Sequence, residues 1–398
     1  MDLGTFRQLL APAGQAALAE ATALAPTEPT FLACFEKLRK RHPEEVAKAA
    51  VETAILRAKA GEKFAHADRM YFTREALEQS TSEAVARHRA KRFASHKLVA
   101  DLCCGIGGDA LALAAAGLRV QAVDSDPLRV AMAEANAVAL GFTDRIRCVV
   151  GDALAVPLPG VNAAFADPAR RADGRRYLDP EDYAPPLSAL RARFSSGFPL
   201  GVKAAPGVSW NDIRDLEAEV EFVSLGGELK ECVLWFGAFR GTGRLATILP
   251  VGESLTAAVP AGPRPIEPVS AYLYDPDPAV TRAGLVHDLA ERLDARPIDA
   301  QVLLLTSDRH TPTPFATAFP VEHVAPFHVR LLRDYLRERH VGRVTVIKRG
   351  SPADADDLLR KLKLAGPNHR TVFLTRADEQ HVVIVCGEPT DPGGVDSR

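Results

Sequence analysis

Residues Leu98 to Pro127 read LVADLCCGIGGDALALAAAGLRVQAVDSDP. Leu98, Val99 and Ala100 are apolar in succession, as in a strand covered on both faces. Gly105, Gly107 and Gly108 follow, where the chain must turn tightly and come close to a ligand. The run Ala110 to Ala116 favours helix, and Gly117 stops it. Leu118 to Val123 forms the next strand, with Asp124 at its carboxyl end, where an acid can accept both hydroxyls of a ribose. The unit is strand, glycine-rich turn, helix, strand: a nucleotide pocket in outline.

Gly105-x-Gly107-x-x-Ala110, with Asp124 one step later, also fits the dinucleotide fingerprint. Three further acids separate the two nucleotides. Asp101 lies four residues before Gly105, where it would repel a pyrophosphate and welcome the ammonium group of a sulfonium amino acid. Asp152 ends a third apolar strand, Ile146 to Val150, in position to accept from an adenine amino group. Asp167 ends a fourth, in AAFADPARR, with Pro168 directly after it. Acids at four successive strand ends line the edge of a parallel sheet where α/β ligands bind. Their sign suits a cationic cofactor.

Asp101-Leu-Cys-Cys-Gly105-Ile-Gly107-Gly108, Asp124, Asp152 and Asp167-Pro168 resemble motifs I to IV of the class I S-adenosylmethionine-dependent methyltransferases. Motif I is similar in wording to that of the trimethylguanosine synthases. Over its whole length the chain resembles a bacterial family of these enzymes with a helical N-terminal region and a THUMP-like C-terminal domain. The resemblance implies an α/β fold with a Rossmann-like seven-stranded sheet and S-adenosylmethionine as cofactor. It implies that Asp101, Cys103, Gly105, Gly107, Gly108, Asp124 and Asp152 bind that cofactor. It also implies that Asp167 and the Pro168 carbonyl orient the atom that receives the methyl group. THUMP domains bind RNA, so the resemblance further implies an RNA partner, tRNA or rRNA.

The 398 residues, 47% of them hydrophobic, are enough for two or three domains. No apolar run reaches the roughly 20 residues that span a bilayer, and the N-terminus lacks a signal-peptide pattern. Cys34, Cys103, Cys104, Cys148, Cys232 and Cys386 show no C-x-x-C pairing. No metal site is expected, and the scattered thiols suit a reduced cytoplasm. A net charge of −2 excludes nucleic-acid binding by bulk charge alone.

Residues 1–96 read as helices. Pro43 opens a long one that ends near Gly61, and Ser80-x-x-Glu83 reads as a capping box for a helix to Arg92. The segment RHRAKRFASHK, residues 87–97, holds five Lys/Arg and no acid. It is either a solvated helix end or a phosphate-binding patch. The methyltransferase domain is expected over 97–250, with later strands near 198–204, 219–224 and 231–238 and a helix around 209–217. Proline and glycine make 251–268 a linker. A small α/β connecting module over 269–325 and the THUMP-like module over 326–390 complete the chain.

After Asp167 this chain has Pro168-Ala169-Arg170-Arg171, where enzymes with this motif usually carry a second proline and an aromatic ring. Arg170, Arg171, Arg175 and Arg176 cluster there, and an arginine plane can stack on a base. Tyr177 and Tyr183 are the nearest aromatics downstream. Lys348 and Arg349, at a strand end in the last module, are further candidates for phosphate contact. Besides an RNA methyltransferase, three readings stay open. One is a methyltransferase for a small molecule or protein, the second an RNA-binding protein with a vestigial pocket, and the third a dehydrogenase.

Overall fold

The computed structural model describes residues 1–390 except 173–174, 209–212, 242, 258 and 260, with backbone alone at 171, 172, 175 and 176. The chain forms two compact units. One is Met1–Glu219 with Glu231–Gly241, and the other is Val220–Lys230 with the residues from Thr242 onward.

The first unit begins with α1 (Leu3–Leu10), α2 (Pro12–Ala23), α3 (Phe31–Leu38) and α4 (Glu44–Ala60). Pro43 caps α4, with Glu44 and Glu45 in its first turn and Arg57 and Lys59 in its last, each charge matched to the helix dipole. The capping box is not formed. Ser80 closes α5 (Arg74–Gln79), its hydroxyl donating to Leu77 O at 2.8 Å. Glu83 opens α6 (Glu83–Ala90), and its carboxylate accepts from Ala65 N at 2.8 Å. The Glu83 carboxylate is shared between this neighbouring turn and Arg87 one turn along its own helix, while Ser80 N donates to Ala76 O instead.

A parallel sheet follows, built from β1 (Leu98–Leu102), β2 (Arg119–Asp124), β3 (Ile146–Val150) and β4 (Ala163–Ala166). The short strands β5 (Arg171–Ala172) and β6 (Arg175–Arg176) pair only with each other. Then come β7 (Leu200–Ala204), β8 (Glu219–Leu225) and β9 (Glu228–Phe236). In this unit the order is β3-β2-β1-β4-β7-β9, with β9 antiparallel to β7 and the other pairs parallel. Of the helix expected at 209–217, residues 209–212 lie outside the described residues, and 214–217 form turns and bends.

Two glycine-flanked helices cover the sheet, α7 (Gly108–Ala115) and α8 (Pro127–Ala139), followed later by α9 (Leu187–Arg193). Gly201 is required where it stands, because a Cβ there would lie 2.6 Å from the Trp235 ring. The N-terminal helices and the sheet share one buried core that runs from Phe6 and Val51 through Val99 and Met132 to Trp235. Residues 1–96 are therefore part of the same body as the sheet.

In the second unit, β10 (Arg244–Leu249) pairs in parallel with β8 and antiparallel with β11 (Glu253–Ala257). The expected linker 251–268 thus contains a strand. Next are β12 (Tyr272–Pro276), helices α10 (Pro278–Ala283) and α11 (Val286–Leu293), and strands β13 (Arg296–Pro297) and β14 (Leu305–Ser307). The last elements are β15 (Ala316–Pro326), α12 (Val329–Glu338), β16 (Val341–Lys348), α13 (Ala355–Leu362), β17 (Asn368–Ala377) and β18 (Gln380–Cys386).

These strands form one sheet, ordered β13-β14-β12-β15-β18-β17-β16. β15 pairs with β12 through Ala316–Pro320 and with β18 through Val321–Pro326. The expected modules 269–325 and 326–390 therefore share strand β15. Leu332, Leu336, Leu358 and Leu362 from the two long helices pack on Val372, Leu374, Val383 and Val385. Among the described residues no helix is long and apolar enough to cross a membrane.

Candidate functional site

The carboxyl ends of β1, β2, β3 and β4 meet at one edge of the first unit. After β1 the chain turns through three left-handed residues, Cys103 (φ 60°), Gly105 (φ 55°) and Gly107 (φ 84°). Asp124 holds this turn. One carboxylate oxygen accepts from Gly105 N at 2.9 Å, and the other accepts from Asp126 N at 3.0 Å. A Cβ on Gly105 would meet nothing within 4 Å, so open space lies beside the turn. Asp152 is exposed and accepts from Leu154 N at 2.8 Å, which shapes the turn after β3. The Arg193 guanidinium donates to Ala153 O and Val156 O and anchors the same turn from α9.

Asp101 is 1% exposed, and among the described residues the Ala110 N–H is the one backbone donor near its carboxylate, too poorly placed for a full hydrogen bond. Burial, with the nearby Asp109 and Asp167 carboxylates, pushes its pKa well above the usual carboxylate range, and Arg89 offsets this only in part. A buried carboxylate without a partner is costly. A cationic group set beside it would remove that cost. Burial also pushes the Cys103 thiol far above its ordinary range, helped by Asp124 and Asp167, so this cysteine is a neutral lining group and not a thiolate nucleophile.

Asp167, partly exposed, follows β4, with its N–H donating to Leu102 O at 3.1 Å. Its Oδ2 accepts from the Lys203 ammonium at 2.7 Å, and that ammonium also donates to Thr81 Oγ1 at 2.8 Å. Behind this pair, the Arg89 guanidinium donates to Asp109 and Glu231 and lies 4.1 Å from the centre of the Phe165 ring. Burial alone would lower the Arg89 pKa, but the Asp109 and Glu231 carboxylates raise it instead.

The loop after Asp167 is fixed at several points. Ala169 and Ala184 exchange backbone hydrogen bonds at 3.0 Å, and Ala205 N donates to Tyr183 Oη at 2.9 Å. Arg170 is half-buried and donates to Ala204 O at 3.4 Å. Tyr183, 2% exposed, is an anchor for this loop and is not available to stack on a base. Tyr177 is half-buried.

The predicted residues Asp101, Cys103, Gly105, Gly107, Gly108, Asp124, Asp152, Asp167 and Pro168 are thus brought together by the sheet edge. The side chains of Arg171, Arg175 and Arg176 lie outside the described residues. Lys348 and Arg349 belong to the second unit. Lys348 is exposed, and Arg349 donates to both oxygens of Asp275 at 3.0 and 2.7 Å.

The basic run 87–97 is not a phosphate patch over its length, because its arginines are engaged by carboxylates. Arg87 pairs with Glu83, Arg89 with Asp109 and Glu231, and Arg92 with Glu219 and the Phe239 carbonyl. Sequence reading missed Lys203, Arg89, Glu231 and Thr81. A signal was present for two of them. Lys203 is the lone charge in the apolar strand LGVKA, and Glu231 opens the apolar half of β9, ECVLWF, places where a charge is either paired or functional.

Family models match three stretches of the chain. Residues 96–174 match RNA cap guanine-N2 methyltransferase, residues 316–388 match a THUMP domain-like model, and residues 2–60 match a domain of unknown function. The chain is 36% identical over 342 residues to an S-adenosylmethionine-dependent methyltransferase of Mycobacterium tuberculosis, covering 82% of this chain and 92% of the relative. Its fold is similar to a crystal structure described as a methyltransferase of Porphyromonas gingivalis. That match has a TM-score of 0.73 at 20% identity and covers 92% of this chain and all (100%) of the other.

Proposed function

We propose that this chain, which belongs to the S-adenosylmethionine-dependent methyltransferases, methylates RNA, either a tRNA or an rRNA. Its cofactor is S-adenosylmethionine, which supplies an electrophilic methyl group on a sulfonium and leaves as a neutral thioether. The RNA reading is carried by one observation. A stretch similar to RNA cap guanine-N2 methyltransferases, 96–174, and a THUMP-like stretch, 316–388, occur in the same chain. The second unit also carries a surface suited to RNA. The His323 and Tyr335 rings stack at 4.2 Å, with the Arg339 guanidinium 3.6 Å from the centre of the Tyr335 ring. Such an aromatic and cationic stack is a platform for an unpaired base.

In the first unit, Asp101 would face the cofactor's ammonium, Asp124 its ribose and Asp152 its adenine amino group. Gly105 keeps the turn open for close backbone approach, with Cys103 lining it, while Gly107 and Gly108 face Ala133 and Phe64 and let the turn pack closely. Asp167, with the Pro168 carbonyl, would accept the N–H or O–H of the acceptor and take the proton shed as the new bond to carbon forms. This work is mostly alignment, worth effective molarities that can reach ~10⁵–10⁸ M. Arg170, Arg171, Arg175 and Arg176 are proposed substrate contacts and Lys348 a proposed phosphate contact, whereas Arg349 would first have to leave Asp275.

The test is incubation with methyl-labelled donor and total cellular RNA, followed by mass spectrometry of the digested nucleosides. One methylated nucleoside, gained only with the active protein, is expected. Donor binding with no label in any RNA fraction would overturn the RNA reading. Asp167→Ala should lower the transfer rate by about 10²–10³-fold and leave donor affinity within about twofold. Unchanged transfer in that variant would remove Asp167 from the centre.

A further inference from the structure

We infer that Lys203 is a positioning residue for methyl transfer, holding Asp167 by one oxygen so that the other faces the acceptor. This rests on the reading of Asp167 given above. The lysine ammonium donates to Asp167 Oδ2 at 2.7 Å and to Thr81 Oγ1 at 2.8 Å, so it is tied from two sides. The exposures are unequal: the Lys203 side chain is 4% exposed and the Asp167 side chain 24%. The lysine is therefore behind the carboxylate and the cleft in front of it. With Oδ2 committed, the Asp167 plane is set, and Oδ1 is the atom left to meet an acceptor N–H or O–H.

Stability does not explain this arrangement. A buried ion pair is commonly no more stabilising than apolar groups of the same volume. Lys203 also stands in an apolar strand, two residues from Gly201, where such groups would be at home. Thr81, in the turn before α6, makes the N-terminal region contribute to the placement of the carboxylate.

The experiment compares Lys203→Met, Lys203→Arg and Thr81→Val with the wild-type full-length chain. Donor affinity is read by calorimetry, folding by thermal melting, and transfer by steady-state and single-turnover rates. Each protein is given labelled donor with purified RNA and, separately, with a whole-cell extract split into RNA, protein and small-molecule fractions.

Lys203→Met should lower kcat by on the order of 10²-fold, with KM and donor affinity within about threefold. Lys203→Arg should recover part of that loss, because it keeps a cationic donor. Thr81→Val, which removes one neutral hydrogen bond, should cost about 5–10-fold in kcat alone. Wild-type kcat in Lys203→Met would overturn the inference. So would a parallel fall in kcat, donor affinity and melting temperature, which marks a merely structural role. If the wild type labels protein or small molecules and not RNA, the RNA reading fails. Lys203 is then judged by the same kcat comparison on that acceptor. No label in any fraction overturns both.

Discussion

Two arginine-rich segments meet opposite fates. In the segment from Arg87 to Lys97, Arg89 and Arg92 turn inward and meet carboxylates from distant parts of the chain, while Arg87 stays on the surface beside Glu83. Arg330 to Arg349 remains largely on the surface, where Arg330 is 77% exposed and reaches Asp334 only at 3.9 Å. In sequence the first run holds no acid, whereas Asp334 and Glu338 are interspersed among the cations of the second. The difference lies in what is brought to them: Asp109, Glu219 and Glu231 for the first, solvent and neighbouring acids for the second. A run of cations therefore describes a demand for partners, and topology decides whether carboxylates or water supply it.

Substitutions can break this contrast, and the largest effect should come from Arg89→Met. It leaves Asp109 and Glu231 facing each other without their cation, and removing one partner of a buried pair costs about 3–5 kcal/mol. Urea unfolding would show it as a lower midpoint, and a cost under ~1 kcal/mol would erase the distinction between the two segments. Arg92→Ala should cost less, about 1–3 kcal/mol, because Arg92 is 27% exposed and water can reach what it leaves behind.

Asp101→Asn sharpens the picture of the inward side. Asp101 holds its proton in the fold to a higher pH than in the unfolded chain, whose carboxylate titrates near 3.8. The folded state thus binds more protons, and the protein without donor should lose stability as pH rises from that value toward the raised one. The slope from this one group is at most ~1.4 kcal/mol per pH unit. The asparagine variant should lose that slope and melt higher near neutral pH, by about 2–4 °C per kcal/mol gained, while binding the donor more weakly. Melting curves across pH and donor titrations check both. An unchanged slope would show that Asp101 is not the titrating group.

The smallest effect on folding belongs to the outward segment. Changing Arg330, Arg343 and Lys348 together to alanine should move stability by no more than about 0.5 kcal/mol. If RNA binds there, the slope of log affinity against log salt should fall by ~0.7 for each phosphate left without its cation.

Much of this was legible in the order of residues. The strands β1 to β4 are apolar runs that end in Asp101, Asp124, Asp152 and Asp167, so both sheet and cleft could be read locally. The helices and strands after Val329 also follow their periodicity closely. What was hidden depends on distance or on the ambiguity of proline. The last module is expected to begin at Pro326, yet Pro326 ends a strand that begins at Ala316 and changes partner along its length. β11 is a polar pentapeptide, ESLTA, beside Pro250 and Gly252, and has little apolar signal. Ser80 and Glu83 have the spacing of a capping box, but their side chains are claimed by Leu77 and Ala65. No local rule could pair Lys203 with Asp167 across 36 residues.

The pairing of Arg89 with Glu231 has a consequence for the chain during its own synthesis. The two residues are 142 apart in sequence. At roughly 5–20 residues per second, a ribosome needs on the order of ten seconds to deliver Glu231 after Arg89 has been made. Throughout that interval the N-terminal helices have a guanidinium and an apolar face with no finished sheet to receive them. The nascent chain has to wait, partly assembled, for a residue more than halfway along it, so truncated fragments ending before Glu231 should be the ones that chaperones hold and proteases clear.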